Sequence, residues 1–144
     1  MQSFHARFDE LAEWFETLTP TSLQRIAEVY APSATFRDPF NDLRGLENVR
    51  QVYKHMFETL VEPRFVITSK LIDSASAFMT WRFLFMLRGK AYAIEGGTHF
   101  VVDEQGLIVI HRDYWDAAQE LYEKIPVLGA VLRGLRRKLS IAKA

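Results

Sequence analysis

Phe78-Met79-Thr80-Trp81-Arg82-Phe83-Leu84-Phe85-Met86-Leu87 is the stretch whose reading decides the fold. With the period of two that a strand imposes, Phe78, Leu84 and Met86 fall on one face, and Met79, Trp81, Phe83, Phe85 and Leu87 on the other. A strand that is apolar on both faces, in a chain of 144 residues, implies that helices cover one side and something else covers the other. The expected cover is a second copy of the chain, giving a homodimer. The longest unbroken apolar run, Phe83 to Leu87, is far too short to span a membrane.

Outward from this strand the same period persists. Arg64–Asp73, Ala77–Arg88, Lys90–Asp103 and Leu107–Trp115 read as four strands. Asp73-Ser74-Ala75-Ser76, Arg88-Gly89-Lys90 and Asp103-Glu104-Gln105-Gly106 separate them as hairpin turns. Upstream the period is helical. Phe4, Phe8, Leu11, Phe15 and Leu18 make one apolar stripe, which Thr19-Pro20 ends. A second helix is expected from Thr21 or Ser22 through Tyr30, with Ala31-Pro32-Ser33 as its stop. Ala34–Arg37 reads as a short strand, residues 38–42 as a turn, and Gly45–Leu60 as a third helix. Helices first and antiparallel strands after them mean an α+β fold.

Composition sets the outer bounds. The chain is 49% apolar, 25% charged and 13% aromatic, with no cysteine, so disulfides and thiolate chemistry are excluded. Eighteen basic residues balance eighteen acidic ones, but the balance is uneven along the chain. Lys124, Arg133, Arg136, Arg137, Lys138 and Lys143 meet no acid from 124 onward, leaving 12 basic against 18 acidic residues in 1–123. Leu121, Ile125, Leu128, Leu132, Leu135 and Leu139 form a leucine-rich stripe in the same region, interrupted by Pro126. A basic amphipathic C-terminal helix is therefore expected. Packing on its own body, on a sister subunit or partner, or on a membrane through 127–144 are all compatible with that pattern. Acids throughout the first eighteen residues argue against a targeting segment, so the expected location is cytoplasmic.

The order helix, helix, short strand ending in Asp-Pro-Phe, helix, and meander ending in Tyr-Trp resembles the cone-shaped nuclear transport factor 2-like fold. Within it the chain resembles the SnoaL-like polyketide cyclases and the ketosteroid isomerases. The likeness rests on Tyr30-Ala31-Pro32-Ser33-Ala34-Thr35-Phe36-Arg37-Asp38-Pro39-Phe40, on Gly45-Leu46-Glu47-Asn48-Val49, on Phe100 to Ile108, and on His111-Arg112-Asp113-Tyr114-Trp115-Asp116. It implies a curved antiparallel sheet wrapped around N-terminal helices over 1–123, with the C-terminal helix 124–144 as an addition. It also implies a hydrophobic pocket for a small ligand on the concave face. There Asp38 matches the isomerases' general base, and Tyr30 and Tyr53 match tyrosines that line or support the pocket. Met79, Trp81, Phe83, Phe85 and Trp115 match apolar walls, and Phe57 is a further expected contact. Trp14 and Thr98 stand where the isomerases carry their two oxyanion donors, so ketosteroid isomerase activity is not expected. Limonene epoxide hydrolases share an Asp at the position of Asp113, but residues 74–94 lack the further acid they use.

Asp113 shares strand parity with His111 and Trp115. The cyclases place an acid/base Asp here with a His on its hairpin partner, which makes His99 one candidate partner and His111 the other. With Thr98 facing inward, His99 faces outward unless Gly96-Gly97 forms a bulge. Arg82, between Trp81 and Phe83, is expected at the dimer interface rather than in the pocket, by the same parity. The resulting expectation is a cofactor-independent isomerase or cyclase moving a proton on an apolar carbonyl compound. The other reading is a non-catalytic ligand-binding or protein-interaction module. His5, His55, His99 and His111 have no metal-ligand spacing, no glycine-rich phosphate loop precedes a helix, and no aromatic-basic nucleic-acid signature is present.

Overall fold

Helix α1 spans Phe4–Glu16. In the computed structural model, residues 2–116 and 137–138 are described. Ser3 caps α1, its hydroxyl accepting from the Ala6 N–H at 3.1 Å and so satisfying a donor that every helix start leaves free. The apolar stripe faces the core through Phe8, Leu11, Ala12 and Phe15.

Ser22–Glu28 is a 3₁₀ helix kinked at Arg25, not the longer helix through Tyr30 that spacing predicts. Thr19 and Ser22 exchange side-chain-to-backbone bonds at its start. At its end the sheet takes over: the Val29 carbonyl accepts from the Ile108 N–H, and Tyr30 pairs with Ile108. Strand pairing overrides a local helical preference here. Strand β1 accordingly covers Tyr30–Arg37, running through Pro32 rather than starting after it. The proline is accommodated where the register to the neighbouring strand shifts, between Tyr30 and Thr35.

A three-residue strand, β2 (Asp42–Arg44), pairs antiparallel with β1 where only a turn was expected. It is too short to carry a period. Helix α2 (Leu46–Thr59) follows Gly45, whose φ of 100° re-aims the chain, and buries Val49, Tyr53 and Met56. The meander is β3 (Val61–Asp73), β4 (Ser76–Leu87), β5 (Lys90–Val102) and β6 (Ile108–Tyr114). Arg88 and Gly89, both at positive φ, make the two-residue turn between β4 and β5, whose twist suits the flanking strands.

Together these strands form one unclosed sheet in the order β2-β1-β6-β5-β4-β3. Its neighbours are antiparallel except β1 and β6, which run parallel and correct the expectation of a wholly antiparallel sheet. Successive hairpins fix the direction of β6, and β1 docks beside it on the free edge. Helix α1 packs on β3, while α2 meets both β1 and β3. Phe8, Leu11, Ile26 and Val49 from the helical side thus close over Met79, Phe85, Phe100 and Ile108 of the sheet. Burying each such side chain stabilises the fold by roughly 1.5–3 kcal/mol.

No helix among the described residues is long and apolar enough to cross a membrane. The expected C-terminal helix at 124–144 lies outside the described residues except for Arg137 and Lys138. Both of these are exposed and helical, and the Lys138 carbonyl accepts from His55 Nδ1 at 2.5 Å.

Candidate functional site

Asp38 stands at the turn from β1 to β2. Its Oδ1 accepts from the Phe40 N–H at 2.8 Å, the Asn41 N–H at 2.7 Å and Asn41 Nδ2 at 3.2 Å. Oδ2 has only a long 3.3 Å contact to the same amide nitrogen. This is a side chain holding its own turn, and it is also a wall of a cavity. Burial, and then the nearby Asp113 charge, raise its pKa from 3.8 to about 6, outweighing the three bonds that favour the carboxylate.

Across the cavity β5 and β6 present a connected polar wall. Strand register sets Thr98 opposite Asp113 and Phe100 opposite His111. Asp113 Oδ1 accepts from the Thr98 hydroxyl at 2.5 Å and from His111 Nε2 at 2.8 Å, and Thr98 accepts from the Trp81 indole N–H at 2.8 Å. His111 Nδ1 lies 2.7 Å from the Tyr30 hydroxyl, which lies 2.7 Å from that of Tyr53. One assignment of protons satisfies the row. Tyr53 donates to Tyr30, Tyr30 donates to His111 Nδ1, and His111 Nε2–H donates to Asp113. Burial, first of all, holds both tyrosine hydroxyls well above their usual pKa, so they act as fixed donors rather than acids.

The two histidines part company. His111 is 4% exposed and touches the cavity. His99 sits opposite Arg112 on the other face, because the ladder runs unbroken through Gly96 and Gly97. Those glycines exist for close approach. A Cβ on Gly96 would come within 2.6 Å of the Trp81 ring and 2.9 Å of Trp115, and one on Gly97 within 2.5 Å of the Phe78 ring on the opposite side. Arg82 also lies on the outer face, 3.9 Å from Glu95.

The cavity has a volume of about 110 Å³. Of the expected residues, Asp38, Tyr53, Trp81, Phe83, Phe85, Thr98, His111, Asp113 and Trp115 line it. Four do not. Met79 is fully buried in the core, and Tyr30 stands behind His111. Phe57 faces a separate groove with Leu23 and Lys54. Trp14 packs edge-on to Tyr53 with its indole N–H buried and unpartnered among the described residues. Residues not anticipated from the sequence are Phe15, Phe36, Phe40, Val52, Met56, Leu60, Phe65, Ile67, Ile94 and Phe100. Strand pairing would have found several of them, since Phe65 and Ile94 both oppose Phe83, and Ile67 opposes Trp81. No three His, Asp or Glu side chains gather as metal ligands among the described residues.

Solved structures of the same shape are plentiful and distant in sequence. An NTF2-like protein from Burkholderia thailandensis superposes with a TM-score of 0.71 at 16% identity, over 85% of this chain and 97% of that one. An LEH-like epoxide hydrolase from M. tuberculosis gives 0.67 at 15% identity, over 92% and 91%. A protein with a ketosteroid isomerase-like fold from Catenulispora acidiphila, solved in complex with trimethylamine, gives 0.67 at 14% identity, over 81% and 89%. Among curated proteins none matches. The family model for the SnoaL-like domain matches residues 11–111, from α1 through His111 on the cavity wall, and the chain belongs to that family.

Proposed function

We propose that this protein binds a small apolar molecule in the cavity and moves a proton on it, with Asp38 as general base. The observation that carries this reading is that Asp38 and Asp113 line one cavity with mostly apolar walls while Asp38 is poised at about 6. A carboxylate with that pKa is ionised at neutral pH yet basic enough to accept a proton from carbon next to a carbonyl. Asp38 Oδ2 is the oxygen left free enough to do so. Asp113 is held by Thr98 and His111 as the partner carboxylate. Its charge raises the basicity of Asp38, and the apolar walls keep water from competing. Returning the proton to a different atom of the substrate completes an isomerisation, with no cofactor.

The epoxide hydrolase neighbour lends fold but no chemistry, since residues 74–94 lack the further acid that limonene epoxide hydrolases use. The trimethylamine held by the Catenulispora neighbour is a precedent for a small nitrogen base bound by this fold. A second copy of the chain covers the outer sheet face, where Leu71 (69% exposed), Tyr114 (47%) and Met86 (36%) lie near the Arg82–Glu95 pair. Such a mix of apolar and oppositely charged groups can complement itself about a two-fold axis.

Deuterium uptake from D₂O at the carbons flanking the carbonyl of 2-indanone, followed by NMR, tests the base. Wild type should accelerate exchange over buffer, and Asp38→Asn should lose about 10²–10⁴-fold of that acceleration. Equal rates for the two proteins would leave binding without proton transfer.

A further inference from the structure

The hydrogen bonds of the cavity wall leave an imbalance. The Trp81 N–H goes to Thr98, the Thr98 hydroxyl to Asp113, the His111 Nε2–H to Asp113, and the tyrosine hydroxyls to each other and to His111. Apart from the Trp115 indole, these donors are spent inside the protein. The capacity that remains belongs to acceptors. Asp38 Oδ2 has one long contact, and Asp113 Oδ2 forms no hydrogen bond among the described residues. Among the described residues no lysine or arginine lines the cavity to offset the two carboxyl groups. The remaining wall is dominated by rings, including Phe36, Phe40, Phe65, Phe83 and Trp115, whose faces carry negative potential.

We infer that the natural occupant carries a protonated amine on its apolar body, the ammonium lying against Asp113 Oδ2, which leaves Asp38 Oδ2 to act as base, and the body lying against the aromatic walls. This rests on the pocket reading above and names its ligand class. An ammonium supplies donors to a wall whose remaining capacity is mostly acceptor, and a counter-charge to Asp113. Its flank gains attraction from the ring faces. A ligand without an amine brings no charge to Asp113, and a carboxylate or phosphate would meet two carboxyl groups with no lysine or arginine lining the cavity among the described residues. The volume of about 110 Å³ is of the order of the ~150 Å³ cavity known to admit benzene. One ring or short alkyl group with its amine therefore fills the enclosed part.

Benzylamine, benzyl alcohol and benzoate share a ring and differ in charge, so titrating each by NMR at neutral pH isolates the inference. Benzylamine should bind about tenfold or more tightly than benzyl alcohol, with benzoate weakest. Asp113→Asn, checked for native melting, should narrow the gap between benzylamine and benzyl alcohol, whichever way the affinity for the alcohol itself moves. Alcohol or benzoate binding as well as the amine would overturn the ammonium assignment and leave the apolar pocket standing. Saturable binding of none of the three would overturn both.

Discussion

Asp38 shows how one side chain can serve its turn and its cavity together. Its pKa is 3.8 in an open chain and about 6 in the fold. Between those values the unfolded chain binds fewer protons, so stability falls as pH rises from about 4 to about 6 and is level above that. The span is worth about 3 kcal/mol. Urea unfolding across this range should show the slope, and Asp38→Asn should remove its share of it. A variant as pH-sensitive as wild type would place the titration elsewhere. Tyr30 is the other residue of consequence, with its hydroxyl buried between Tyr53 and His111. Tyr30→Phe leaves both neighbours short of a partner and should cost about 1–3 kcal/mol. Imidazole ¹⁵N shifts should show Nδ1 of His111 moving toward an unpaired nitrogen in the variant, while Nε2 keeps the proton that Asp113 accepts. Asp38 and Asp113 could be singled out through the resemblance to the isomerases and cyclases. The choice of His111 over His99 needed the unbroken β4–β5–β6 ladder, because one bulge at Gly96-Gly97 would have reversed it.

At the scale of elements, adjacent glycines in β5 accommodate rings on opposite sheet faces. Gly96→Ala drives a methyl into Trp81 and Trp115, and Gly97→Ala drives one into Phe78. Each should lose about 1–3 kcal/mol by overpacking. Only the first should also shift tryptophan fluorescence and weaken cavity ligands, because Trp81 and Trp115 are cavity walls. Similar effects of both variants on ligand affinity would mean that the sheet transmits strain between its faces. The strands β3 to β6 and both α-helices were legible from periodicity and turn residues, which act over a few positions. The extension of β1 to Tyr30 and the existence of β2 were not. The first depends on Ile108, far along the chain, and the second, paired with the strand just before it, is too short to show a period.

The molecule as a whole keeps the two faces of its sheet for different uses. The inner face meets helices and cavity, and the outer face leaves Leu71, Met86 and Tyr114 exposed. Light scattering on eluting protein should give the mass of two chains. Leu71→Glu combined with Met86→Glu should halve it without changing the circular dichroism spectrum. A wild-type monomer at micromolar concentration would remove the second copy. The α+β order, the hairpins and the two-sided apolar character of β4 were legible in the chain's own pattern. All of these follow from period, turn chemistry and residue type within short windows. Only the tertiary structure decided the parallel β1–β6 pairing, the face on which each histidine lies, and the ten further cavity residues. Register and convergence are set by contacts between segments tens of residues apart, and no local pattern encodes which of the possible pairings packs best.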